Sequence, residues 1–192
     1  MAGLKYCDPL FFGKDISPPG YFYPCLCAGR RQSAWPMTQA LATLALTLAA
    51  MTPPDRERAE FIVFTNAVAT VESGLDYQAV GDRGAAVGAW QMHTVAWITA
   101  NQWRKANGMP TLSRAQWKNQ IVQRAMAISY LTWCKEEWVK VGKAKPSPQE
   151  IYIMFAWGYT NLKEAGFDIE KAPKAKRDAA ERVNNIYADL IK

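Results

Sequence analysis

The stretch Val71-Glu72-Ser73-Gly74-Leu75-Asp76-Tyr77-Gln78-Ala79-Val80-Gly81-Asp82-Arg83-Gly84-Ala85-Ala86-Val87-Gly88-Ala89-Trp90-Gln91-Met92-His93 starts as the end of a long helix and breaks into a glycine-rich segment. Gly81, Gly84 and Gly88 fall within eight residues, a clustering that implies a tightly folded loop. Upstream, Phe64, Val68 and Glu72 recur at i, i+4 and i+8. That spacing puts Glu72 on the same helical face as two residues of buried type, one turn from the helix end. Apolar neighbours and the negative end of the helix dipole both disfavour an ionised carboxyl there and raise its pKa. A carboxyl that keeps its proton is what a general acid requires.

Working outward, Thr52 is placed as an N-cap, Pro53 at the first helical position and Asp55 in the first turn, which predicts a helix from about residue 54 to 73. Further helix starts are predicted at Ser113, with Gln116 three residues on, and at Ser147-Pro148-Gln149-Glu150, a capping box with proline at its first position. The last helix is read from Ala179, Ala180, Val183, Ile186, Tyr187 and Leu190, an apolar stripe opposite Lys176, Arg177, Asp178 and Glu181. Only the glycine-rich stretch after Ser73 offers a place for strands. The expected class is therefore mainly α: a helical domain with a short Gly-rich loop or β-hairpin at its site, preceded by an irregular N-terminal leader.

The 192 residues, 49% of them apolar and 21% charged, suit one folded domain at 52–192, and a monomer is expected. Residues 1–51 form the leader. Within it, 37–51 carries an apolar run after Arg30-Arg31 that is shorter than the ~20 residues a membrane span needs. It reads equally as a signal or anchor segment and as a packed helix, and any membrane contact is expected through it alone. Cys7, Cys25, Cys27 and Cys134 do not have the distribution of a disulfide framework, and with His93 the only histidine no metal site and no cofactor is expected. The net charge of +6 suits an anionic partner such as nucleic acid, a membrane surface or a bacterial wall polymer. The basic stretch from Lys171 to Arg177 is interleaved with alanines and lacks an aromatic platform, so it describes a solvated helix face, and no nucleic-acid partner is expected.

Cleaving a glycosidic bond needs a proton donor to the leaving oxygen, commonly with a second carboxylate to manage water. Asp82, in a glycine-bounded turn, is the leading second carboxylate; Asp76 is placed to stabilise the turn through its own backbone. Glu72-Ser73, then Gly81-Asp82-Arg83-Gly84, then Gly88-Ala89-Trp90-Gln91 resembles, in order and approximate spacing, the goose-type lysozymes and their lytic transglycosylase relatives. Phe155-Ala156-Trp157-Gly158-Tyr159-Thr160-Asn161 is similar to the family's Ala-Tyr-Asn-Ala-Gly element.

The resemblance, which covers roughly Asp55 to Tyr159, implies a lysozyme-like helical fold with Glu72 as catalytic acid and Asp82 as water-positioning residue. It also implies a sugar cleft lined by Ser73, Trp90 and Gln91, with Trp157 or Tyr159 closing it and Asn161 as a further contact. The implied activity is cleavage of the β-1,4 bond between N-acetylmuramic acid and N-acetylglucosamine in peptidoglycan. The implied place of action is the cell wall, in the bacterial periplasm, outside the cell, or from a phage. Two departures stand out: His93 occupies the place of a further family aspartate, and Gly158 that of the expected asparagine. Three alternatives accompany this reading: a lytic transglycosylase leaving 1,6-anhydro ends, a chitin-directed relative, and a lysozyme scaffold that binds glycan or builds a particle without catalysis.

Overall fold

A computed structural model of the chain describes residues 52–192; the leader, the 37–51 segment and Cys7, Cys25 and Cys27 lie outside the described residues. The described part is mainly α. Its helices are α1 (Pro53–Ser73), α2 (Thr94–Ala106), α3 (Gln120–Lys140), α4 (Pro148–Trp157), α5 (Tyr159–Glu164) and α6 (Lys174–Ile191), with a two-stranded hairpin of β1 (Val80–Gly81) and β2 (Ala86–Val87) between α1 and α2. No helix among the described residues is long and apolar enough to cross a membrane.

α1 begins as its sequence predicts, with Thr52 extended at the N-cap and proline in the first turn. It ends because Gly74 takes the left-handed conformation (φ 68°), where a Cβ would be strained. The Gly74 N–H donates to Thr70 O at 2.9 Å, the bond of a left-handed cap, and the Leu75 N–H reaches back to Ala69 O at 3.2 Å. The capping box at Ser147 forms in full: the Ser147 hydroxyl accepts from the Glu150 N–H, and the Glu150 carboxylate accepts from the Ser147 N–H. The start expected at Ser113 is corrected. Ser113 does accept from the Ala115 N–H, but only a 3-10 turn of three residues, Arg114–Gln116, follows. α3 starts later at Asn119, whose side chain accepts from both Ile121 and Val122.

The core lies where α6 packs on both α1 and α4 and where α3 packs on α2 and α4. Phe64 and Val68 of α1, Met126 and Leu131 of α3, Tyr152 and Met154 of α4 and Val183 of α6 are all buried there. Each fully buried aliphatic or aromatic side chain contributes about 1.5–3 kcal/mol. The apolar stripe read for α6 packs inward through Ala179, Ala180 and Val183, with Ile186 and Tyr187 partly covered. The hairpin pairs Val80 with Val87 and Gly81 with Ala86, and Met92 bridges back to Val87. This small structure rests on the C-terminal end of α1 and frames one side of a groove.

Candidate active site

Glu72 lies on the last turn of α1, on the face that buries Phe64 and Val68, as the i, i+4, i+8 spacing predicts. Its carboxyl stands at the wall of a groove of about 460 Å³. Asp82, Gln91 and His93 line the same groove from the hairpin side, and Trp157 and Lys176 line it from α4 and α6. The Tyr152 hydroxyl donates to Glu72 Oε1 at 2.7 Å. Burial pushes the Glu72 pKa above the ordinary carboxylate value, and the Asp82 charge adds to the rise. The Tyr152 hydrogen bond, Lys176 and His93 oppose it without cancelling it. The Tyr152 phenol is itself pushed far up by its own burial and by the Glu72 charge, so it remains a donor.

Asp82 sits at the opposite edge on a strained turn. Its φ is 46° and that of Arg83 is 56°, both left-handed without being glycine, a conformation that aspartate tolerates better than most residues. Its Oδ2 lies 2.9 Å from Nε2 of His93, and both side chains are more than half exposed. The imidazole N–H therefore donates to the carboxylate. Asp76 has the turn role read for it, its Oδ1 accepting from the Gln78 N–H at 2.8 Å.

Two glutamines hold the glycine-rich loop in place. Gln91, itself at φ 45°, donates through Nε2 to Gly88 O at 2.8 Å. Gln123 reaches in from α3: its Oε1 accepts from the Ala89 N–H at 2.9 Å, and its Nε2 donates to Tyr77 O and Trp117 O. Gly88, at φ 75°, is required on two counts, since a Cβ there would stand 2.2 Å from Gln123 Oε1. Arg114 secures the turn from outside by donating to Ala85 O at 2.9 Å.

Four of the residues implied as sugar contacts do other work. Trp90 is 1% exposed, and its indole N–H donates to Thr65 O at 2.8 Å, so it is a core residue. The Ser73 hydroxyl donates to Ala89 O at 2.9 Å and accepts from the Asp76 N–H at 3.0 Å, tying the end of α1 to the loop. Tyr159 packs between Trp133 and Phe167, with ring centroids 5.7 and 5.9 Å away. Asn161 donates to Trp157 O at 2.7 Å and is not among the residues that line the groove. Of the two aromatics offered for closing the cleft, Trp157 is the one that lines it.

Compared with protein-family models, curated proteins and solved structures, the chain has no match.

Residue-by-residue reading missed Tyr152, Lys176 and the use of His93. Tyr152 stands 80 positions from Glu72; its one local signal is that it lies three residues before Phe155 and four before Ala156, on the face of α4 that reaches the groove. Lys176 was assigned to the solvated face of α6, and the structure puts it at the groove. Among the described residues no group of three or more His, Cys, Asp or Glu side chains is arranged to hold a metal ion. The chemistry available in the groove is proton transfer, with the Glu72 carboxyl of raised pKa and the Asp82 carboxyl lining the same space.

Proposed function

We propose that this chain is a peptidoglycan muramidase on a lysozyme-like helical domain, with Glu72 as its general acid. The observation that carries the reading is a half-buried carboxyl whose pKa is raised by burial, lining one open groove together with a second carboxylate. The resemblance of residues 72–91 to the goose-type motif supplies the substrate class, and the excess of positive charge fits the acidic wall polymer.

In this reaction Glu72 gives its proton to the glycosidic oxygen as the bond from the anomeric carbon breaks, and the bonding pair leaves with that oxygen. A water oxygen bonds to the anomeric carbon and passes its proton to Asp82. Trp157 offers its ring face to a sugar. Tyr152 fixes the orientation of the Glu72 carboxyl.

A second reading keeps Glu72 and changes the nucleophile. Asp82 has one oxygen engaged by His93; if it does not direct water, the sugar's own C6 hydroxyl oxygen bonds to the anomeric carbon, its proton passes to the Glu72 carboxylate that has just given one to the leaving oxygen, and a 1,6-anhydro end results.

The test is digestion of purified sacculi by the full chain and by Glu72→Gln, with circular dichroism to establish that both are folded. Positioned proton transfer is worth about 10²–10⁴-fold in rate, so Glu72→Gln is expected to lose clearing by that factor. Clearing retained by folded Glu72→Gln overturns the assignment. Glycan binding by the parent chain with no turnover supports the non-catalytic scaffold, and preference for chitin oligomers over sacculi supports a chitin-directed enzyme. Mass spectrometry separates hydrolysed ends from anhydro ends, which are one water lighter.

A further inference from the structure

Resting on the muramidase reading, we infer that His93 is a positioning residue that holds the Asp82 carboxylate toward water and so commits the groove to hydrolysis. The turn that carries Asp82 is the least supported wall of the groove. Asp82 and Arg83 both have positive φ, and the Asp82 side chain is mostly exposed. A carboxylate in that setting samples several rotamers unless something fixes it. Among the described residues the side chain that does so is His93, through the 2.9 Å contact to Oδ2. His93 is well placed for this because it sits at the extended N-cap position before α2 (φ −74°, ψ 161°) and makes no side-chain capping bond to that helix. Its imidazole is thus unclaimed by its own element and spans the gap between α2 and the Asp82 turn. With Oδ2 held by the imidazole, Oδ1 is the oxygen left for a water molecule.

The imidazole has a second effect, on the facing acid. The charged and titratable groups around Glu72 are Tyr152 from α4, Lys176 from α6, Asp82 from the hairpin turn and His93 ahead of α2. His93 lowers the Glu72 pKa and so opposes the rise that Asp82 causes.

The experiment compares the full chain with His93→Leu, which removes the donor, and His93→Gln, whose amide N–H reaches about as far as Nε2–H. Fragments released from purified sacculi are counted as hydrolysed or anhydro ends. Misplacing a reacting group by about 1 Å costs on the order of a hundred-fold. His93→Leu is therefore expected to form hydrolysed ends ten- to a hundred-fold more slowly and to raise the anhydro fraction, and His93→Gln to restore most of the hydrolysis. Both variants lose the imidazole that holds the Glu72 pKa down, so in both the alkaline limb of the rate profile moves to higher pH; a residue that merely packed would lower the rate without moving the limb. Wild-type hydrolysis by His93→Leu overturns the inference, as do equal losses in Leu and Gln or purely anhydro products from the parent chain. A readout independent of activity uses His93 as the chain's only histidine. Its nitrogen NMR signals above the imidazole titration should report the Nε2–H tautomer in the parent chain and a mixture in Asp82→Ala, which removes the acceptor. An inactive parent chain with the fixed tautomer sinks the muramidase reading and leaves the pairing standing; a tautomer unchanged by Asp82→Ala sinks the pairing itself.

Discussion

Glu72 and Asp82 face one groove from two very different supports. Glu72 belongs to the packed bed: it shares its helix face with Phe64 and Val68, accepts a bond from Tyr152 of α4 and is shielded from water by its surroundings. Asp82 rides on a left-handed turn whose neighbours Arg83, Gly84 and Ala85 are all exposed. The difference has a physical use. An acid must be desolvated to hold its proton, so it needs a core behind it; a carboxylate that handles water must stay wet, and a turn at the rim provides that. The cost of changing each wall should differ accordingly.

The largest effect on stability is expected in the bed. Trp90→Ala removes a buried ring and leaves the Thr65 carbonyl without its donor, a loss of about 3–5 kcal/mol measurable by denaturant unfolding. Trp157→Ala, at a partly buried ring on the edge of the core, should instead weaken glycan affinity and lower stability by clearly less than Trp90→Ala. Equal stability losses at the two tryptophans would erase the division between bed and groove lining.

Gly88→Ala tests the seam between the two walls. A left-handed φ and the crowded Gln123 amide predict a loss of about 1–3 kcal/mol, with activity falling as the Gln91 loop shifts.

Tyr152→Phe sharpens the electrostatic side. The hydroxyl favours the ionised Glu72 and so holds its raised pKa partly down. Removing it lets the pKa rise further, the acid keeps its proton to higher pH, and the alkaline limb of the rate profile moves up. A downward move in the limb would show that Tyr152 acts on the neutral form. The smallest effect belongs to the turn: Asp76→Ala, which loses only the bond to the Gln78 N–H, should cost about 0.5–1.5 kcal/mol and leave the pH profile unchanged.

The bed was largely legible in the sequence, because helical periodicity places residues by local spacing alone. Phe64, Val68 and Glu72 lie where i, i+4, i+8 puts them, and the Ser147 box forms both of its bonds. Reading failed where two local signals compete or where the partner is remote. Ser113 and Asn119 are both capping residues six positions apart, and only packing decides that the second starts the long helix. Trp90 and Trp157 look alike in sequence, and their fates depend on which side of the α1–α4 seam each one meets. Tyr152, Lys176 and the His93–Asp82 pair are contacts across elements, which no local pattern encodes.

The Gln123 amide ties the order of assembly to the direction of synthesis. Its bonds to Ala89 and Tyr77 reach back 34 and 46 positions, so a nascent chain that has emerged only as far as α2 already carries Glu72, Asp82 and His93 but lacks the clamp that sets the loop between them. Contacts of such sequence separation form late, after the loop-closure entropy has been met. The fixed geometry of the groove, with Glu72 and Asp82 on it, is therefore expected to form only once α3 has docked.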